Sequence, residues 1–174
     1  MTGIKATSGR MGLPDYRLHG ELEAAFSKDF KLLLPRVDLE TLGRKEIAER
    51  LPDQAGCYFW ILVCNENRYR IYLGRTNSIR KRVTDYSIEF QMHSPNDFKI
   101  RFFQEFVRKE LPEAELDLYF APTLLEECKV RETDLVRLYR PVINERAAAT
   151  KEEKALIKSA FSDFYGSVFK RKLL

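Results

Sequence analysis

Gly56-Cys57-Tyr58-Phe59-Trp60-Ile61-Leu62-Val63, then Asn65-Glu66-Asn67, then Tyr69-Arg70-Ile71-Tyr72-Leu73-Gly74: this stretch decides the fold. Cys57 to Val63 is an unbroken aromatic and aliphatic run, the composition of a buried strand. Asn65-Glu66-Asn67 reads as a turn. Tyr69 to Leu73 reads as the returning strand, with Tyr69, Ile71 and Leu73 alternating against Arg70 and Tyr72. Together they predict an antiparallel hairpin that ends at Gly74. Asn77 or Ser78 can cap a following helix, where Ile79, Val83 and Tyr86 recur at helical spacing.

Upstream, Glu21 to Leu34 predicts a helix through Leu22, Ala25, Phe26 and Phe30, ended by Pro35. Thr41 to Arg50 predicts a second, closed by Leu51-Pro52. Downstream, Asp97 to Leu111 carries Phe98, Phe102 and Phe106 on one side of a helix. Glu115 to Phe120 alternates cleanly, a strand with one buried face. Leu124 to Tyr139 is a longer helix stopped by Pro141. Thr150-Lys151-Glu152-Glu153 is a capping box that opens a terminal helix carrying Phe161 and Phe164.

The fold class expected is therefore α+β: a small three-stranded antiparallel sheet flanked by helices, with extra N- and C-terminal helices. Residues 1–50 form an N-terminal arm and helical extension, 51–145 the central domain, and 146–174 a C-terminal helix packing on it. Three strands cannot enclose a core alone, so helices must cover at least one sheet face. Phe59, Trp60, Phe102 and Phe103 belong to that core.

Composition narrows the function. At 174 residues the chain fits one domain. It has no apolar stretch near the ~20 residues that span a bilayer. Its first residues lack an apolar signal core, which predicts a cytoplasmic protein. Cys57, Cys64 and Cys128 form no CxxC pair and read as buried reduced thiols. His19 and His93 are too far apart in the chain to suggest a His-based zinc site. The net charge of +4 is mild, but Arg68, Arg70, Arg75, Arg80, Lys81 and Arg82 follow one another with no acid between them. Such a run is usually a solvated face. Here it overlaps Tyr72-Leu73-Gly74, which favours contact with phosphates.

Gly56-Cys57-Tyr58, Tyr72-Leu73-Gly74, Arg82, Glu132 and Asn144, in this order, resemble the motifs of the GIY-YIG nuclease superfamily. Leu51-Pro52 resembles the approach to the first motif in the catalytic domain of the excision-repair endonuclease. Arg82 lies eight residues beyond Gly74, and Tyr86 stands where the family carries histidine or tyrosine. Glu132, Pro141 and Asn144 follow at steps of nine and twelve from the glutamate. Each motif is weak alone; the ordered set is much stronger. The loop between the tyrosine motifs is a little long for the family.

The resemblance implies a DNA endonuclease, with RNA as the second substrate class. It implies Tyr58 as general base, Tyr72 and Tyr86 orienting water or relaying the proton, and Arg82 clamping the phosphate. Glu132 would hold one Mg²⁺ or Mn²⁺. A free tyrosine, with a pKa of about 10, is a poor base at neutral pH; nearby Arg75 and Arg82 are expected to lower it. The hairpin sets Tyr58 and Tyr72 across from one another, and Arg82 and Tyr86 share one helical face. Gly74 lets a phosphate approach the backbone. Arg75 assists the clamp, Arg68 and Arg70 lengthen the phosphate track, and Asn144 binds substrate or caps a helix end.

Two rivals stand beside this reading. One is a non-catalytic nucleic-acid-binding module that keeps the fold. The other is an interaction domain that uses the terminal helix, which could also make a dimer.

Overall fold

A computed structural model describes residues 16–89 and 95–144. The expected terminal helix and the N-terminal arm lie outside the described residues, as do His93 and the side chains of Phe98, Phe102 and Phe106. Among the described residues the chain runs α1 (Gly20–Asp29), β1 (Lys31–Leu34), α2 (Arg44–Arg50), β2 (Gly56–Cys64), β3 (Asn67–Thr76), α3 (Ile79–Ser87), α4 (Pro95–Glu110), β4 (Glu115–Pro122) and α5 (Cys128–Tyr139). These described strands form one antiparallel sheet in the order β1-β4-β2-β3. The fold is α+β.

The hairpin is present, and its turn is tighter than the three residues read from sequence. Cys64 pairs with Asn67, leaving Asn65 and Glu66 as the two turn residues. Both have positive φ, 49° and 63°, as a type I′ turn requires. The returning strand does not alternate throughout. Trp60 pairs with Tyr72 and Ile61 with Arg70, so Ile71 is an extra residue in β3, a β-bulge.

β2 lies in the centre, between β3 and β4, and both its faces are covered, which explains its continuous apolar run. On one face Tyr58, Trp60 and Leu62 pack with Ile47 of α2, Ile79, Val83 and Tyr86 of α3, and Ile100 and Val107 of α4. On the other, Cys57, Phe59 and Ile61 pack with Phe26 of α1 and Leu135 and Tyr139 of α5. β4 shares in both: Leu116, Leu118 and Phe120 face one layer, while Tyr119 and Ala121 are buried in the other. The expectation of a single buried face for this strand is corrected accordingly.

A second correction concerns the sheet itself. The helix expected over Glu21 to Leu34 stops at Asp29, and Lys31–Leu34 forms a fourth strand. Leu32 pairs with Tyr119 and Leu34 with Leu118, closing the outer edge of β4. This non-local pairing overrides local helix preference. Residues 31–34, read as part of an extension, thus belong to the sheet of the central domain.

The outer edge of β3 is covered by segments from both ends of the described chain. Leu18 N–H donates to the Arg68 carbonyl (2.7 Å), Val142 N–H to Arg70 (3.1 Å) and Ile143 N–H to Ile71 (2.9 Å). The Asn144 amide then clasps Leu73, accepting from its N–H and donating to its carbonyl, each at 2.8 Å. The described cover ends there, one residue before Gly74.

Candidate active site

Where that cover stops, a cleft of about 350 Å³ opens at the edge of the sheet. It is lined by Tyr58, Tyr72, Arg75, Thr76, Asn77, Arg82 and Glu132. β2 brings Tyr58, β3 brings Tyr72 and Arg75, α3 brings Arg82, and α5 brings Glu132. Ser78 makes α3 start where it does: its hydroxyl accepts from Lys81 N–H at 3.1 Å, an N-cap. That start sets the rotation of the helix, so Arg82 and Tyr86, one turn apart, both reach Tyr58.

Tyr58 is 1% exposed, its ring enclosed while its edge borders the cleft. Its direct partner across the hairpin is Gly74, and Tyr72 is the diagonal neighbour, with ring centroids 6.2 Å apart. Gly74 therefore has a different use from the one read in the sequence. A Cβ there would sit 2.5 Å from the Tyr58 Oη. The missing side chain makes room for the phenol, which lies over the glycine to reach α3. Gly56 is just as constrained, since a Cβ would collide with the Ala121 carbonyl and the Phe120 ring.

The Tyr58 oxygen lies 2.7 Å from the Tyr86 oxygen and accepts from Arg82 Nε–H at 3.2 Å. Arg82 also lies over the Tyr86 ring, 4.6 Å from its centroid. Arg82 is thus held by two phenols, and Tyr86, fully buried against Trp60, positions both partners. Either phenol can donate; when Tyr86 does, the Tyr58 oxygen accepts two hydrogen bonds and its own proton turns away from Tyr86. The same two donors would stabilise the phenolate once that proton left.

The resting charge state corrects an expectation. Burial pushes the Tyr58 phenol well above its ordinary value, and the neighbouring Tyr86 adds to the rise. Arg82 pulls in the other direction without overcoming them. Tyr72 is also raised, by burial first and then by Tyr58. Desolvation of the anion outweighs one guanidinium, so both phenols are neutral in the free protein. Cys57, beside Tyr58 in the chain, is pushed up to about 12 by burial, and the Cys57, Cys64 and Cys128 thiols are buried and free.

Glu132 reaches the cleft from the opposite face of the sheet. Its Oε2 accepts from Arg75 Nε–H at 3.0 Å, an ion pair in which Glu132 is 28% and Arg75 47% exposed. The described residues hold no group of three or more His, Cys, Asp or Glu side chains suited to a metal. A lone carboxylate in a roomy polar cleft nevertheless fits Mg²⁺ or Mn²⁺, which retain several waters and need few protein ligands.

The remaining basic residues divide differently from the sequence reading. Arg68 pairs with Glu23 at 2.5 Å and lies over the Phe26 ring. Arg70 is buried and donates to the Tyr16 and Tyr139 carbonyls. Both lie on the α1/α5 side of β3, away from Tyr72, so the phosphate track drawn through them is corrected. Asn144, read as substrate-binding, has its amide engaged by the Leu73 backbone and fixes the strand between Tyr72 and Gly74. Thr76, not singled out, and Asn77, read only as a cap candidate, also line the cleft; their signal was position, two and three residues after the second tyrosine motif. No family model matches the chain, and no curated protein is similar enough to count as a match.

Proposed function

We propose that this chain is a metal-dependent endonuclease of the GIY-YIG type, hydrolysing phosphodiesters in DNA. The observation that carries the reading is convergence: two phenols, two guanidiniums and one carboxylate from four separate elements border one open cleft. Arg82 and Arg75 offer N–H forks to the non-bridging oxygens, where charge grows in the transition state. Tyr58, having released its proton to solvent through the cleft, takes one from the attacking water, with Arg82 and Tyr86 donating to its oxygen. Tyr72 borders the same space and orients that water. Glu132 would hold a Mg²⁺ or Mn²⁺ ion. When bound, that ion supplies Lewis acidity at the phosphoryl and leaving oxygens.

One observation favours a second reading, a non-catalytic nucleic-acid-binding module: Glu132 is already paired with Arg75. Incubating the protein with plasmid, branched and single-stranded DNA and with RNA, in Mg²⁺, Mn²⁺ or chelator, separates the two. The nuclease reading expects metal-dependent cutting, reduced by roughly 10²–10⁴ in Tyr58→Phe and lost in Arg82→Ala and Glu132→Ala. Binding without cleavage, unchanged in Glu132→Ala, would establish the module instead.

A further inference from the structure

The carboxylate assigned to a metal is held by a positive side chain. Arg75 Nε lies 3.0 Å from Glu132 Oε2, linking the end of β3 to α5 across the cleft. We propose that Arg75 is a latch on the metal site: a nucleic-acid phosphate draws its guanidinium off Glu132 and so opens the carboxylate to the ion. This rests on the nuclease reading above. A carboxylate and a phosphodiester compete for the same fork of donors. An ion pair this exposed is weak and opens readily.

The two states differ sharply for an approaching divalent cation. In the closed pair its ligand is in contact with a guanidinium, which repels it. In the open pair it meets two anions, the carboxylate and the phosphate. Arg82 is not interchangeable with Arg75 here, because it is anchored on Tyr58 and Tyr86. Arg75 is half exposed, at the strand end just beyond Gly74, and can swing. Linkage then requires that metal and nucleic acid raise each other's affinity by the same factor.

The test is Mn²⁺ binding, followed by the electron paramagnetic resonance of the free ion, so no turnover is needed. Wild type, Arg75→Gln and Glu132→Gln are titrated with and without a cleavage-resistant phosphorothioate duplex. Glu132→Gln supplies the background from ions held by the DNA alone. Wild type is expected to bind Mn²⁺ at least about fivefold more tightly with duplex present, the lower end of typical coupling. Arg75→Gln should bind tightly without duplex and gain little from it. Equal Mn²⁺ affinity of wild type and Arg75→Gln without duplex overturns the latch, while Glu132-dependent binding in both would leave the nuclease reading intact. No Glu132-dependent binding in any sample overturns both.

Discussion

At the scale of single residues, the Tyr58 hydroxyl accepts from Arg82 and shares a hydrogen bond with Tyr86 inside a nearly sealed setting. Neutral phenols in the fold and ionisable ones in the unfolded chain make stability depend on pH. Tyrosine in an unfolded chain titrates at about 10, and burial raises Tyr58 and Tyr72 above that. Their contribution is complete below pH about 10 and is lost as pH climbs beyond it, because the unfolded chain then binds fewer protons than the native one. Denaturant midpoints measured from pH 7 to 11 should fall at the alkaline end, and fall less in Tyr58→Phe. For activity the same shift expects a rate that keeps rising through pH 9, as the phenolate fraction grows. A plateau at neutral pH would count against Tyr58 as the base. Gly74→Ala drives a methyl group into the Tyr58 phenol. It should cost about 1–3 kcal/mol in urea unfolding and reduce cleavage with it. The residue types at this site were legible from their order along the chain. The direction of the phenol shift was not, since it depends on Tyr72 and Tyr86 packing against Tyr58, which no local pattern records.

Among the elements, β3 is the most dependent on its neighbours. It lies at the end of the sheet, and its outer side is satisfied by Arg17–Leu18 and by Val142 to Asn144. Asn144→Ala leaves the Leu73 N–H and carbonyl without these partners and should cost about 1–3 kcal/mol. Hydrogen exchange at the Leu73 amide should accelerate well before global unfolding. Unchanged protection there would show that the clasp contributes nothing. The hairpin and α3 could be read from sequence because their signals are local: an apolar run, a turn, a cap. β1 could not, because Leu32-Leu33-Leu34 continues a helix as plausibly as it forms a strand. Its choice is made by β4, more than eighty residues later in the chain. Asn144 was noticed, but its partner was invisible for the same reason.

For the whole molecule, the question is how much of its positive charge is free to meet a polyanion. Of the six cations from Arg68 to Arg82, Arg68 is paired with Glu23, Arg70 is buried and Lys81 is paired with Asp85. Arg75 and Arg82 line the cleft. Each phosphate neutralised on a duplex contributes a slope of about −0.9 to log affinity against log salt. Two contacts give a slope of about −2, six give about −5. Fluorescence anisotropy over a KCl series should return the shallow value, with Arg68→Ala lowering stability and leaving affinity nearly unchanged. The inserted Ile71 is what partitions these charges. In an evenly paired ribbon, Arg68 and Arg70 would fall in step with Tyr72 and point at the substrate side. One surplus residue turns them toward α1 and α5, where they tie the layers together. Drawing it into the ladder opposite Ile61, a one-residue slip, would rotate two guanidiniums toward the phenols and trade a selective mouth for an indiscriminately sticky one.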